Sequence, residues 1–161
     1  ASDGTGATWE GACEFTVNAP VEKAWSILSD FGGFADWATS VLEGCSLVEG
    51  LPQEIGCVRL VKGKPSVDGF ALEATEKLLE LDHSRYVISW EVTTCNAPLF
   101  AGATSTIQLS RPENPHGTTR IVCRCKRDPS LDLDQQTFLY AVHSLFSKVD
   151  SDLLQALGSI A

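Results

Sequence analysis

Val67-Asp-Gly-Phe-Ala-Leu-Glu-Ala-Thr-Glu-Lys-Leu-Leu-Glu-Leu81 is the run on which the fold turns. Successive side chains of a strand point to opposite faces. One face therefore carries Phe70, Leu72, Ala74, Glu76 and Leu78, and the other Ala71, Glu73, Thr75, Lys77 and Leu79. A carboxylate stands in the apolar row. The run before it, Gly56-Cys-Val-Arg-Leu-Val-Lys-Gly63, puts Cys57, Arg59 and Val61 on one face and Val58, Leu60 and Lys62 on the other, so a guanidinium stands between two apolar side chains. If both rows face one interior, Arg59 and Glu76 are opposite charges in an apolar space. They form either a structural ion pair or the chemical centre of a pocket.

Working outward, the strand signal repeats. Thr8 to Val17 alternates Trp9, Gly11, Cys13, Phe15 and Val17 against polar neighbours, as a half-buried strand does. Asn18-Ala-Pro20 ends it, and Pro20 opens a helix on which Val21, Trp25 and Leu28 recur at helical spacing; a second short helix over Phe34 to Thr39 follows Gly32-Gly33. Strands are then expected over Val41–Glu49, Gly56–Gly63, Val67–Leu81, Ser84–Thr94, Ala101–Arg111 and Thr118–Arg127. Short turns such as Gly50-Leu-Pro52, Asp82-His83 and Pro112-Glu-Asn-Pro-His-Gly117 join them, which favours an antiparallel meander. After Asp128-Pro129 the period changes to that of a long helix, Asp132 to Gly158, with Phe138, Val142, Leu145, Val149, Leu153 and Leu157 as its apolar stripe. Asp132 and Asp134 suit the helix dipole at its start. The expected class is α+β: a seven-stranded curved antiparallel sheet around one long C-terminal helix, leaving a hollow between them.

Composition bounds the function. The 161 residues are 43% hydrophobic, with no compositional break, and read as one domain with a sizeable core. The net charge of −9 argues against a sequence-independent hold on nucleic acid, which depends on clustered Lys and Arg. No run approaches the roughly 18 apolar residues that span a bilayer. The start, Ala1-Ser-Asp-Gly-Thr-Gly6, lacks a signal pattern, so a cytoplasmic location is expected. The six cysteines, none in a Cys-x-x-Cys, read as free thiols of a reducing compartment. Cys123 and Cys125 share a strand face without a nearby histidine, the three histidines show no ligand spacing, and neither a metal site nor a Cys/His nucleophile follows. There is no Gly-rich phosphate loop and no nucleophile elbow, and no cofactor is expected.

The order of elements, together with Pro20-Val-Glu-Lys-Ala-Trp25, Ser29-Asp-Phe31, Cys45-Ser-Leu-Val-Glu-Gly50, Gly56–Gly63 and Glu76-Lys-Leu…Leu81-Asp82, resembles the START-like polyketide cyclase/dehydrase superfamily and its helix-grip fold. Within it the chain is most similar to plant lachrymatory-factor synthases, and more distantly to abscisic-acid receptors and birch-pollen-allergen proteins. The resemblance runs from Trp9 to the last helix. It implies a START-like ligand-binding domain over the whole chain, with a cavity entered past Lys62–Val67 and Thr94–Phe100, in which Arg59 and Glu76 serve proton transfer on a hydrophobic specialised metabolite. The synthases' cavity tyrosine is replaced by Ala103. The receptors' carboxylate-binding lysine is missing near Glu43–Cys45, and their latch is replaced by Cys95-Asn-Ala-Pro98.

The expected reading is a cofactor-free acid/base enzyme carrying out cyclisation, isomerisation or a lyase step, with Glu76 as the acid or base and Arg59 orienting it or stabilising developing negative charge. A non-catalytic carrier or sensor of a hydrophobic small molecule is the second reading, and either would act as a monomer or homodimer. The expected sheet lining is Phe70, Leu72, Ala74, Ile88, Trp90, Ala103, Ser105 and Cys123; Phe138 and Val142 are expected to close the cavity from the helix. Trp90 suits stacking on a conjugated ligand, although an aromatic on an inner sheet face usually just packs. Tyr140 and His143 flank the stripe, where such residues are usually on the surface.

Overall fold

A computed structural model describes residues 7–112 and 117–159. The stretch Ala1–Gly6 and the middle of the turn 112–117, with His116, lie outside the described residues. Strand β1 (Trp9–Val17) leads into helix α1 (Val21–Leu28), a 3₁₀ turn (Phe31–Gly33) and helix α2 (Phe34–Trp37). Six strands follow, β2 (Leu42–Glu49), β3 (Val58–Gly63), β4 (Glu73–Asp82), β5 (Val87–Cys95), β6 (Thr104–Ser110) and β7 (Thr119–Arg127). Helix α3 (Gln135–Ser159) ends the described chain. The strands form one sheet in the order β1-β7-β6-β5-β4-β3-β2, and every pairing is antiparallel. The meander from β2 to β7 is the expected one, and β1 closes its far edge against β7.

The helices follow from their sequences. Pro20, extended at φ −62 and ψ 150, precedes α1, whose Val21, Ala24, Trp25 and Leu28 are buried. Asp134 caps α3: its Oδ2 accepts from the Thr137 backbone N–H and hydroxyl, both at 2.9 Å. Phe138, Val142, Val149, Leu153 and Leu157 are buried as the stripe requires, and Phe146 joins them in place of the half-buried Leu145.

The sheet bends around α3 through register shifts. Two lie in β2, and two between β4 and β5: Thr93 is the extra residue opposite Thr75 and Glu76, and Leu79 the extra one between Leu78 and Glu80. Such irregularities sharpen local twist and re-aim the side chains beside them. Helix and sheet approach closely at Gly11, where a Cβ would stand 2.9 Å from Val142 Cγ1. Gly11 is the seat on which α3 rests.

Three strands start later than their patterns imply, and turn chemistry is the reason. Asp68 Oδ1 accepts from the Ser66 hydroxyl and the Phe70 N–H, and Gly69 sits at φ 88, so residues 66–70 turn and β4 starts at Glu73. Asp82 Oδ1 likewise gathers the N–H groups of Ser84 and Arg85, and Tyr86 turns at φ 56 before β5. Gly102, at φ 82, delays β6 to Thr104.

Candidate functional site

Arg59 and Glu76 are direct partners across β3 and β4, which makes their meeting a matter of register. Arg59 Nε donates to Glu76 Oε1 at 2.9 Å, and Nη2 lies 2.7 Å from the same oxygen without hydrogen-bond geometry. Nη1 donates to the Phe31 carbonyl at 2.8 Å. The rings of Phe31, Phe34 and Trp90 surround the guanidinium, with their centroids 4.0, 4.6 and 5.0 Å from Cζ. Arg59 is only 3% exposed. An aromatic cage and one fixed carboxylate replace the water it gave up.

The cage is itself held in place. Gln53, in the left-handed region at φ 64, accepts from the Phe31 N–H at 2.9 Å and donates to the Ser29 carbonyl at 2.6 Å. That clamp presents the Phe31 ring and carbonyl to Arg59. Gln53, Phe31 and Phe34 belong to the site, and no periodicity in the sequence marks them: they come from the β2–β3 turn, the 3₁₀ turn and α2.

Glu76 faces the other way. Its side chain lines a cavity of about 390 Å³ between the sheet and α3, where among the described residues no hydrogen bond reaches Oε2. The rest of the wall is largely apolar, with Leu72, Ala74, Trp90, Val92, Phe100 and Ile107 among the sheet and loop contributors and Ser105 among the few polar ones. From α3 come Ala141, Ser144, Leu145, Lys148 and Val149, spaced i, i+3, i+4, i+7 and i+8 on one face. The exposed Tyr140 and Lys148 stand at the rim. Asn96, just after β5, ties that loop to the start of β4, accepting from the Glu73 N–H and donating to the Ala71 carbonyl, both at 2.9 Å.

Of the expected lining, Leu72, Ala74, Trp90 and Ser105 are on this wall with Glu76, and six other residues are not. Phe70 is in the 66–70 turn, 48% exposed. Ala103 is wholly buried in the turn before β6, its carbonyl taken by the Val92 N–H. Cys123, Phe138 and Val142 are packed solid where α3 sits down on the sheet: Val142 fills the space above Gly11, and Phe138 packs against Trp9 and Phe100. Ile88 lies with Arg59 at a separate recess of about 20 Å³. Phe34 and Trp90 line both spaces, so Trp90 is part of the partition, and Arg59 reaches the cavity only through Glu76.

Tyr140 reaches the cavity rim, whereas His143 points to the opposite flank of α3, against Cys13. All six thiols are free, and burial raises those of Cys45, Cys95 and Cys125 above the ordinary range. Among the described residues no cluster of His, Cys, Asp and Glu gathers on a metal-sized site, and no helix is long and apolar enough to cross a membrane.

Residues 4–142 match the family model described as polyketide cyclase / dehydrase and lipid transport. Among solved structures, a protein of Nitrosospira multiformis superposes with a TM-score of 0.74 at 18% identity, covering 92% of this chain and 95% of that one. Major latex-like protein 151 of Panax ginseng gives 0.74 at 16% identity, covering 94% and 98%. An uncharacterized protein of Bacillus thuringiensis gives 0.73 at 19% identity, covering 92% and 98%. At such identities the likeness is one of fold.

Proposed function

The chain belongs to the polyketide cyclase/dehydrase and lipid transport family, and from that premise we propose that it is a cofactor-free enzyme moving a proton on a small, largely apolar metabolite. The observation that carries this reading is the Glu76 carboxylate, held at Oε1 by a buried arginine and open at Oε2 to an otherwise apolar cavity. A carboxylate so placed is a fixed general base, and in a water-poor space it does not have to be re-oriented at the moment of reaction. The substrate presents an acidic C–H or O–H to Oε2, beside a carbonyl or a comparable electron sink. Trp90 offers a face against which a conjugated body can lie. Arg59 positions Glu76 and, being walled off by Phe34 and Trp90, does not touch the substrate. The product is a cyclised, isomerised or eliminated form of the same molecule, and pre-organisation in the cavity contributes alongside the proton transfer.

A carrier reading is supported by one specific feature: among the described residues Glu76 is the one carboxylate on the wall. We further propose that the chain folds as one ligand-binding domain acting in the cytoplasm, where six free thiols persist, on a specialised metabolite, as a monomer or homodimer.

The test is to identify copurifying small molecules by native mass spectrometry. Those, and a panel of polyketide-like and oxylipin-like compounds, are then incubated with wild type and Glu76→Gln. The carboxamide keeps an acceptor for Arg59 Nε, which softens the loss of the charge; in variant protein shown to be folded by circular dichroism, turnover is expected to vanish while binding persists. A compound bound and returned unaltered by wild type establishes the carrier instead, and full turnover by folded Glu76→Gln removes the acid/base assignment.

A further inference from the structure

We propose that Cys13 and His143 form a second reactive site, outside the cavity, in which the imidazole accepts the thiol proton as the sulfur adds to a neutral α,β-unsaturated carbonyl compound. The contact joins β1 to α3: Cys13 Sγ lies 3.2 Å from His143 Nδ1, across 130 positions of sequence. It follows from the seating of α3. Gly11 lets Val142 come down on β1, which brings the next helix residue, His143, beside the next residue on that strand face, Cys13.

The pair lies in a groove of about 360 Å³ whose walls include Ala12, Phe15, Phe146 and Asp150. Its two aromatic rings suit an apolar electrophile. Asp150 Oδ1 is buried there without a hydrogen-bond partner, and Glu14 stands at the same groove with Arg120 on its carboxylate at 2.7 Å. Arg120 offsets Glu14, so it is the Asp150 carboxylate that disfavours an anionic reagent and leaves a neutral one unopposed.

Burial raises the Cys13 thiol, so at rest it is protonated and needs a base to react. His143 supplies that base at contact distance. As the S–C bond forms, the C=C π bond breaks and its electrons pass to the enolate; the thiol proton goes to His143 and then to the α-carbon. No oxidant or cofactor enters. Among the described residues no other thiol has an imidazole in hydrogen-bond contact, and the two other half-buried thiols are Cys45 and Cys95.

The experiment is timed alkylation of the intact folded protein with N-ethylmaleimide, read by peptide mass spectrometry at each cysteine. Cys13 is expected to be labelled before Cys45 and Cys95. His143→Gln, at an exposed position, is expected to slow labelling of Cys13 at least ~10-fold while leaving the other five rates unchanged. A maleimide bearing a carboxylate arm is expected to react several-fold more slowly at Cys13 than the neutral reagent, relative to the same ratio at Cys95. Cys45 or Cys95 labelled as fast as Cys13, or an unchanged Cys13 rate in folded His143→Gln, overturns the site. Equal discrimination at both cysteines overturns the preference for a neutral electrophile.

Discussion

Arg59 carries five N–H donors into a cage of three aromatic rings, and two acceptors, Glu76 Oε1 and the Phe31 carbonyl, serve it there. Taking either charge away leaves the other buried and uncompensated, which typically costs about 3–5 kcal/mol, whereas replacing both by apolar groups is far milder. We therefore expect Arg59→Met and Glu76→Leu each to lower stability by about that amount. The double variant should be more stable than either single one, as read from urea denaturation. Additive losses would mean that the two side chains are held independently. The alternation of β3 and β4 marked both residues, because a charge in an apolar row is visible at period two. Which of the two faces the cavity was not legible, since it depends on Phe34 and Trp90 standing between Arg59 and the hollow.

At the scale of elements, the seat of α3 on β1 decides where the sheet and helix touch and where they part. A methyl group at Gly11 would stand 2.9 Å from Val142 Cγ1, closer than packing tolerates. Gly11→Ala is expected to cost about 1–3 kcal/mol, the usual range for an overpacked contact. Gly11→Ala/Val142→Ala should recover part of that loss, a compensation that thermal denaturation of the three variants would reveal. An undiminished loss in the double variant would mean that the helix is seated elsewhere. In the sequence Gly11 is one small residue in an alternating run; its meaning comes from a helix that arrives 131 positions later. The strand starts tell a similar story, since Ser66-Val-Asp-Gly69 carries a turn signal that the alternation around it outweighed on reading.

At the scale of the whole molecule, α3 uses two adjacent faces. One packs Phe138, Val142, Phe146, Leu153 and Leu157 against the sheet, and the next carries Ala141, Ser144, Leu145 and Lys148 over the cavity. The second face contains a serine and a lysine and so does not register as an apolar stripe. If the hollow is the binding site, Ala141→Trp fills part of its roughly 390 Å³ from a position that is not packed solid. We expect it to abolish binding of a fluorescent naphthalene probe that wild type binds, with an unchanged far-ultraviolet circular dichroism spectrum. Unaltered probe affinity in the folded variant would place binding outside the cavity.

The sequence alone determined the α+β class and the order of the elements, and it marked Arg59 and Glu76 as charges in apolar rows; their direct pairing came from the register of β3 on β4. The class, the order and the two marked charges rest on local periodicity, where a short stretch of chain carries the whole signal. Only the tertiary structure decided that Cys123, Phe138 and Val142 pack while Cys125, Leu145 and Lys148 line the hollow. It alone brought Gln53 under Phe31 and His143 beside Cys13. The reason is that a curved sheet and a helix touch along one line and separate beside it, and the rotation of the helix about that line depends on how the whole row Phe138, Val142, Phe146, Leu153 and Leu157 packs, with the close approach at Gly11 among its contacts.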